Sequence, residues 1–317
     1  MITILGGDCR NTLQQIPDKS VNCCVTSPPY FGLRDYGNDN QIGLENTPED
    51  FVTSLVDVFR EVHRTLSDDG TLWLNLGDSY YNYRPGKGQS LVKQSVSRTS
   101  QDLPQECARR GNKLKGLKEK DLIGIPWRVA FALQADGWYL RQDIVWSKPN
   151  PMPESVQDRC TKSHEYIFLL SKSQKYHFDN EAIKENAKVT EEQKSTVFGG
   201  KKYGNNESDE HRTKSGNQYI PDGKRNKRSV WEVSTKPYKG AHFAVYPPEL
   251  IEPCILAGCP EGGTVLDPFG GSGTTAIVAD RNGRNAILCE TNRDYVDIAT
   301  DRIKGDAGMF VDIDVKL

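Results

Sequence analysis

The sequence predicts an open α/β sheet of mainly parallel strands, because short apolar runs alternate with helical patterns along the chain. Several of these runs end in a glycine or an acidic residue, as strands do at the ligand-binding edge of such sheets. The chain has 317 residues, enough for one large domain or two small ones. No apolar run approaches the length of a membrane-spanning helix, and the first residues look like a strand instead of a signal peptide.

The N-terminal part of the chain contains three predicted strands, over residues 2–5, 21–25 and 71–76. Helical patterns occupy residues 9–16 and 48–66 between them. Thr47 is placed to cap the second helix, because acidic residues follow in its first turn.

The remaining elements alternate in the same way after a gap. Residues 82–120 lack periodicity and are interpreted as a long loop, which is uncommon in a compact domain unless it has a function. Residues 184–228 are also polar and loop-like. The other predicted helices cover residues 126–136, 248–257, 272–281 and 292–303, and the other strands cover 139–146, 165–171, 264–266 and 285–289.

Positive charge is concentrated in two segments of an otherwise acidic chain. Residues 82–120 hold ten Lys and Arg against three Asp and Glu, and residues 181–230 hold eleven against eight, whereas the whole chain has a net charge of -2. Two interpretations remain open, solvated loops or contact with a polyanion.

A strand that ends in a carboxylate and a glycine turn is the strongest local signal. Asp267 opens the run Asp267-Pro268-Phe269-Gly270-Gly271-Ser272-Gly273-Thr274-Thr275, which leads into a predicted helix. Glycines let a ligand approach the backbone, and a helix N-terminus offers unpaired N–H groups. Glu290 lies 23 residues beyond Asp267 at the tip of the next strand, where dinucleotide-type folds hold ribose hydroxyls. The segment therefore predicts a nucleoside-containing cofactor, with a purely structural turn as the alternative.

The second signal is Ser27-Pro28-Pro29-Tyr30, at the end of the strand over residues 21–25. Two prolines stiffen the loop and remove N–H donors, so that backbone carbonyls are left as acceptors. The Ser27 hydroxyl and the Pro28 carbonyl are suited to accept the two protons of an amine. The Tyr30 ring is suited to stack on a planar substrate.

Together, these two motifs resemble those of the S-adenosylmethionine-dependent DNA amino-methyltransferases. The order of the motifs, catalytic first and cofactor second, resembles the β group of these enzymes. The resemblance covers nearly the whole chain except residues 82–120 and 184–228, where the family varies. It implies a circularly permuted, Rossmann-like methyltransferase sheet with helices on both faces and loop-rich target-recognition inserts.

The resemblance also implies a role for each candidate residue. Glu290 is expected to hold the ribose, Asp8 to face the adenine amino group beside Cys9, and Phe243 to pack near the methionine, with plain core as its alternative. The other cofactor-binding candidates are Asp267, Phe269, Gly271, Ser272, Gly273 and Thr274. The catalytic candidates are Ser27, Pro28, Pro29, Tyr30 and Asp78, where Asp78 either relays a proton through Ser27 or caps a helix. The DNA-binding candidates are Lys148, Asn150, Lys224, Arg225, Lys227 and Arg228.

The implied reaction is methyl transfer to the exocyclic amino group of a base that is flipped out of duplex DNA. A serine at the first motif position resembles the cytosine N4 enzymes, and adenine N6 is the alternative. A dehydrogenase shares the glycine turn but leaves Ser27–Tyr30 unexplained, and a non-catalytic DNA-binding module explains only the basic segments. The eight cysteines and five histidines have no zinc-like spacing, so no metal is expected and no cysteine needs to be catalytic.

The expected organisation has three parts. Residues 1–180 form the catalytic part with the basic insert 82–120, residues 181–230 form a target-recognition segment, and residues 231–317 form the cofactor-binding part of the same domain. Expected partners are double-stranded DNA and a cognate restriction endonuclease, with monomer and homodimer both open. The expected location is the cytoplasm of a bacterial, archaeal or phage-infected cell.

Overall fold

The computed structural model describes residues 1–32, 41–81, 116–186, 223–236, 246–307 and 311–317. The chain divides into two compact units, one of residues 1–179 and 229–317 and one of residues 180–228. In the smaller unit, β6 (Glu185–Asn186) and β7 (Lys224–Arg225) form an antiparallel pair. Most of the predicted insert 82–120, together with Phe243, lies outside the described residues.

The larger unit is built on a nine-stranded sheet with the spatial order β11-β1-β10-β9-β2-β3-β5-β4-β8. β5 runs antiparallel to β3 and β4, and the other described neighbours in this sheet pair in parallel. The predicted α/β class with mainly parallel strands is therefore confirmed. The strands are β1 (Ile2–Gly6), β2 (Val21–Thr26), β3 (Leu66–Leu76), β4 (Tyr139–Ser147), β5 (His164–Ser171), β8 (Val230–Glu232), β9 (Thr264–Asp267), β10 (Asn285–Glu290) and β11 (Ile313–Lys316).

The helices follow the predicted pattern closely. Thr47 caps the second one, because its Oγ1 accepts a hydrogen bond from the Asp50 N–H at 3.1 Å. In the described ranges, no helix combines the length and the apolar character that a bilayer span requires. The helices are α1 (Cys9–Thr12) with a 3₁₀ turn (Leu13–Gln15), α2 (Pro48–Thr65), α3 (Ile125–Ala135), α4 (Pro248–Gly258), α5 (Thr274–Arg281) and α6 (Arg293–Ala307).

Helices cover both faces of the sheet. Alternate side chains of β3 point to opposite faces, and those on each face pack against a helix. Leu72 and Leu74 are fully buried in the apolar cluster that also contains the α2 residues Phe51 and Phe59. Trp73 points the other way, where its indole lies against Gly258 at the end of α4. The strand is thus buried on both sides, as expected for a mainly parallel sheet.

The strand order reverses between β9 and β2. From β9 the chain continues through α5 to β10 on one side, and from β2 it continues through α2 to β3 on the other. Neighbouring strands whose connections diverge leave a crevice at their carboxyl ends, which is where open α/β sheets bind ligands. The two sequence motifs lie at this point although 240 residues separate Ser27 from Asp267.

Several strands differ from the prediction. β3 begins at Leu66, five residues earlier than expected, because Leu66 pairs with Val21 before a register shift brings Thr71 opposite Cys23. The edge strands β11 and β8 were not predicted, and neither was the separate β6–β7 pair inside the segment 184–228, which was interpreted as a loop.

Candidate active site

Asp267 stands at the centre of the crevice, at the carboxyl end of β9. It is 2% exposed and accepts hydrogen bonds from four donors. Oδ1 accepts from Thr26 Oγ1 at 2.6 Å and the Phe269 N–H at 3.0 Å, and Oδ2 accepts from Thr275 Oγ1 at 2.6 Å and the Tyr246 hydroxyl at 3.0 Å. Four donors fill the acceptor capacity of a carboxylate. Asp267 therefore joins β2, the glycine turn and α5 to one another.

Burial governs the ionisation of this carboxyl. It raises the pKa of Asp267 above the ordinary range, and the four hydrogen bonds oppose that shift. Burial likewise raises the pKa of the Tyr246 hydroxyl, which remains a protonated donor. Tyr246 was not singled out in the sequence, because its position next to Asp267 depends on tertiary structure.

The glycine turn is tightly packed between β9 and α5. Gly273 has a φ of 80°, and a Cβ there would lie 3.0 Å from the Ala299 Cβ of α6. A Cβ at Gly270 would lie 2.9 Å from the Leu288 Cβ of β10. The guanidinium of Arg302, also on α6, donates to the carbonyl and hydroxyl of Ser272. The turn is thus fixed with the N-terminus of α5 directed at the crevice.

Glu290 ends β10 and supports the same turn. Its Oε2 accepts from the Gly271 N–H at 2.8 Å, and its Oε1 accepts from the Asn292 N–H at 2.8 Å. Burial raises the pKa of Glu290, and backbone N–H groups including that of Thr291 oppose the rise. Three backbone donors leave a carboxylate with capacity for one more. Unlike Asp267, this side chain can still accept a ligand hydroxyl.

Asp8 follows β1 on the far side of β10. It caps α1 by accepting from the Arg10 N–H at 2.9 Å, and it forms an ion pair with the Arg10 guanidinium. Burial acts to raise the pKa of Asp8, but Arg10 outweighs it and the pKa lies below its ordinary value. Cys9 is buried beside it, and that burial raises the pKa of its thiol. The ends of β9, β10 and β1 thus present Asp267, Glu290 and Asp8 in order along one edge.

The loop of Ser27, Pro28, Pro29 and Tyr30 leaves β2 beside this edge. Thr26, immediately before it, is the residue bonded to Asp267. Gly43 supports the loop from below, because a Cβ there would lie 3.2 Å from the Pro29 Cβ and 3.3 Å from the Tyr30 carbonyl oxygen. The catalytic candidates and the cofactor candidates are therefore brought together by a direct side-chain contact.

The Tyr30 side chain is held by groups for which the sequence predicts no such role. Its hydroxyl donates to Glu165 Oε2 at 2.6 Å, and Asn75 Nδ2 donates to the same oxygen at 3.2 Å. Lys148 Nζ forms an ion pair with Glu165 Oε1. Glu165 reaches this edge because β5 is antiparallel, so its first residues meet the last residues of β3 and β4. The predicted strand 165–171 gave no indication of its direction.

Asp78 adopts the capping role that the sequence left open as an alternative. Its Oδ1 accepts from the N–H groups of Ser79, Gly124 and Ile125, at 2.9, 3.0 and 3.1 Å, and Ile125 begins α3. Its proton relay through Ser27 stays a prediction. Phe243 lies outside the described residues, so its packing near a cofactor also stays a prediction.

Comparison with known proteins decides the family. The sequence profile of the family described as DNA methylase matches residues 21–301. This chain belongs to that DNA methylase family. The predicted family of DNA methyltransferases is thereby confirmed.

Curated relatives match over most of their length. The Type II methyltransferase M.Cfr9I of Citrobacter freundii is 49% identical over 304 residues, covering 96% of this chain and 88% of that protein. The Type II methyltransferase M.SmaI of Serratia marcescens is 47% identical over 305 residues, covering 95% of this chain and 90% of that protein.

Solved structures share the fold. The PvuII DNA methyltransferase, described as cytosine-N4-specific, superposes with a TM-score of 0.62 at 18% identity, covering 98% of this chain and 86% of that one. A putative DNA modification methylase from Thermus thermophilus, complexed with S-adenosyl-L-methionine, superposes with a TM-score of 0.60 at 24% identity over the full length of both chains. The predicted methyltransferase fold is thereby confirmed.

Two of the DNA-binding candidates of this DNA methylase have intramolecular partners in the larger unit. Lys148 is 17% exposed in its ion pair with Glu165, and its Nζ lies 4.3 Å from the centroid of the Trp146 ring. Asn150 uses both ends of its amide on Thr235, because Nδ2 donates to the carbonyl and Oδ1 accepts from the N–H, each at 2.9 Å. These contacts give both side chains a structural role, and DNA binding by either stays a prediction.

The other four candidates belong to the smaller unit. Arg225 Nε and Arg228 Nε both pair with Glu185 Oε1, at 2.8 and 2.6 Å. Arg225 and Arg228 are 40% and 66% exposed, so their pairing is that of a solvated surface. In the sequence, Lys224, Arg225, Lys227 and Arg228 form a single basic run. In the structure, Glu185 offsets part of their positive charge. The remaining net positive charge still suits a phosphate backbone.

The described cysteines act as buried apolar groups, apart from the exposed Cys160. Burial raises the pKa of Cys259 and Cys289 to about 12, which keeps both thiols protonated. Among the residues that the structure describes, no cluster of three His, Cys, Asp or Glu side chains is arranged to hold a metal.

Proposed function

We propose that this DNA methylase is a site-specific enzyme that transfers the methyl group of S-adenosylmethionine to N4 of a flipped cytosine. The observation that carries the proposal is the 2.6 Å hydrogen bond from Thr26 to Asp267, which fixes the Ser27–Tyr30 loop beside the glycine turn. A base amine held by that loop lies next to a donor held by that turn. Methyl transfer requires this proximity more than it requires an acid or a base.

The residues of the crevice fit the cofactor. Glu290 has acceptor capacity for a ribose hydroxyl, and the turn of Gly271, Ser272 and Gly273 offers the backbone at the N-terminus of α5 to the methionine end. Asp8 and Cys9 are expected to border the adenine. Asp267 contributes by holding the turn and not by contact with the cofactor, since its acceptor positions are filled.

The Ser27–Tyr30 loop would activate the amine. The lone pair of a base amine is delocalised into the ring, so hydrogen bonds from its N–H groups to Ser27 Oγ and the Pro28 carbonyl favour a pyramidal, more nucleophilic nitrogen. When bound, S-adenosylmethionine supplies an electrophilic methyl group. The amine nitrogen would bond to the methyl carbon as the carbon–sulfur bond breaks, so that S-adenosylhomocysteine leaves with the bonding electron pair. The nitrogen would then lose one proton to water, and the product is a neutral methylated amine. Tyr30 stacks on the extrahelical base meanwhile.

The serine at position 27 supports cytosine over adenine. Within the family a serine in this place resembles the cytosine N4 enzymes, and the PvuII enzyme that shares the fold is described as cytosine-N4-specific. Adenine N6 remains the alternative, because it presents a similar amine on a six-membered ring. We propose the smaller unit, residues 180–228, as a target-recognition element, with duplex DNA on its basic residues.

The relatives from Citrobacter and Serratia are named Type II methyltransferases. We propose that this enzyme likewise protects DNA against a cognate restriction endonuclease.

Mass spectrometry of nucleosides from duplex DNA incubated with the enzyme and isotopically labelled S-adenosylmethionine tests the proposal. Labelled N4-methyldeoxycytidine is the expected product. Labelled N6-methyldeoxyadenosine as the sole product would transfer the assignment to adenine. Unlabelled nucleosides from DNA that contains every short target sequence would refute methyl transfer to DNA.

A further inference from the structure

We infer that Glu165 is a positioning residue that fixes the Tyr30 ring for stacking on the flipped base. This inference rests on the proposed function, because it assigns a task to Tyr30 within that reaction. No motif of the sequence marks Glu165, and it reaches the site only through the antiparallel direction of β5.

The contact between the two side chains is short and involves a charged acceptor. The Tyr30 hydroxyl donates to Glu165 Oε2 at 2.6 Å, a distance typical of a hydrogen bond to a carboxylate. The Glu165 side chain is only 13% exposed, so the bond is shielded from competing water. A hydrogen bond of this kind is stronger than one between neutral groups.

Glu165 is itself immobilised from two sides. Asn75 Nδ2 donates to Oε2 at 3.2 Å and also to the Tyr166 carbonyl at 3.1 Å, so that Asn75 is anchored between β3 and β5. Lys148 pairs with Oε1 and balances the charge of a largely buried carboxylate. The acceptor offered to Tyr30 therefore has a fixed place and a fixed charge.

The backbone at Gly77 restricts the Tyr30 ring as well. A Cβ at Gly77 would lie 2.5 Å from Tyr30 Cε2 and 3.0 Å from Tyr30 Cζ. Gly77 does not adopt a left-handed φ, so its lack of a side chain serves this close approach to the ring. The ring is thus held at its hydroxyl end by Glu165 and along its side by Gly77.

Such restraint matters more for stacking than for folding. Stacking an aromatic ring on a base is worth about 1–3 kcal/mol, and only when the two planes align. A ring that is already oriented before the base arrives loses less conformational freedom on binding. Glu165 is therefore expected to influence capture of the base without touching the base or the cofactor.

The test compares Glu165→Gln, Tyr30→Phe and the double variant with the unchanged enzyme. Glutamine keeps the size of the side chain and removes its charge, while phenylalanine keeps the ring and removes its hydroxyl. We expect each single variant to lower kcat/KM for methylation of duplex DNA on the order of tenfold. We expect the double variant to be no worse than the worse single variant, because Tyr30→Phe removes the bond that Glu165→Gln weakens. Calorimetry should give unchanged S-adenosylmethionine affinity throughout.

Glu61→Gln is the matched control, because Glu61 forms an ion pair with Arg64 on α2, and Arg64 keeps its second partner, Asp18. Its kcat/KM should equal that of the unchanged enzyme. Multiplicative losses in the double variant, or a Tyr30→Phe enzyme with unchanged kcat/KM, would overturn the inference. The kcat/KM of Tyr30→Phe tests the inference even if the Glu165→Gln variant fails to fold. If the unsubstituted enzyme and the Glu61→Gln control both fail to methylate DNA, the proposed function is refuted, and the inference falls with it.

Discussion

Replacing Asp267 with alanine removes the acceptor that serves four donors at the centre of the crevice. The hydroxyls of Thr275 and Tyr246 lie close enough to bond to each other, so one of the two can still donate while the other loses its acceptor. Thr26 Oγ1 and the Phe269 N–H lose theirs, and Thr26 is fully buried. The loss therefore falls on the bond to β2 and on the first residues of the glycine turn.

The expected cost follows from these three donors. Each buried donor left without an acceptor costs about 1–3 kcal/mol, which gives about 3–9 kcal/mol in the free energy of unfolding. The lower part of this range is expected, because alanine also relieves the desolvation of a buried carboxylate. A displaced turn should weaken S-adenosylmethionine binding about tenfold to a hundredfold as well.

Urea unfolding and calorimetric titration with S-adenosylmethionine measure the two effects. Glu290→Ala should weaken S-adenosylmethionine binding to a similar extent, and it should also lower stability, because the Gly271 and Asn292 N–H groups lose their acceptor. Thr26→Val removes one of the four donors. Its free energy of unfolding and its affinity for S-adenosylmethionine should lie between those of Asp267→Ala and those of the unsubstituted enzyme. Asp57→Ala is the control, since Asp57 forms an exposed ion pair on α2. A folded Asp267→Ala enzyme with unchanged affinity and a stability loss under about 1 kcal/mol would refute this account of Asp267.

Three further outcomes are expected. Ser27→Ala should lower the single-turnover rate of methyl transfer on the order of 10²–10³-fold with cofactor affinity unchanged, and a near-normal rate would remove Ser27 from the mechanism. Affinity for S-adenosylmethionine should fall on acidification, starting above the ordinary pKa of a glutamate, because burial raises the pKa of Glu290 and protonation turns an acceptor oxygen into a donor. Glu290→Gln should show weaker binding with a flatter pH profile in titrations from pH 8 downwards. Neutralising four basic residues of the smaller unit should reduce the slope of log affinity for DNA against log salt by about 0.9 for each phosphate that the enzyme no longer neutralises, whereas an unchanged slope would mean a solvated loop. These four are Lys224, Arg225, Lys227 and Arg228.

Most elements of the fold could be predicted because their signals are local. The helix from Pro48 carries its own cap, and the runs that form β1, β9 and β10 are bounded by glycines and acidic residues. The start of β3 at Leu66 could not be predicted, because Ser67, Asp68, Asp69 and Gly70 resemble a turn and lie in the register shift between the Leu66–Val21 and Thr71–Cys23 pairs. The direction of β5 was equally hidden, since periodicity is the same in parallel and antiparallel strands.

The same limit applies to the site. Motif residues could be located because a strand, a turn and a helix follow one another within a dozen residues of Asp267. The partners that fix those motifs come from distant segments, as Tyr246 does for Asp267 and Glu165 does for Tyr30. A single sequence gives no signal for such contacts. It therefore indicated the groups that face a ligand and missed the groups that hold them.

Thr26 explains why the two motifs act as one site. It is the last residue of β2 and the neighbour of Ser27, and its hydroxyl bonds to the carboxylate at the end of β9. The glycine turn bonds to that carboxylate through the Phe269 N–H, and α5 bonds to it through Thr275. Any shift of the cofactor turn is thus transmitted to the catalytic loop through one buried residue. Methyl transfer tolerates little misplacement of donor and acceptor, since an error of about 1 Å can cost on the order of 10²-fold in rate. A rigid connection at this position keeps the catalytic loop and the cofactor turn in a fixed relative position, although their motifs lie at opposite ends of the chain.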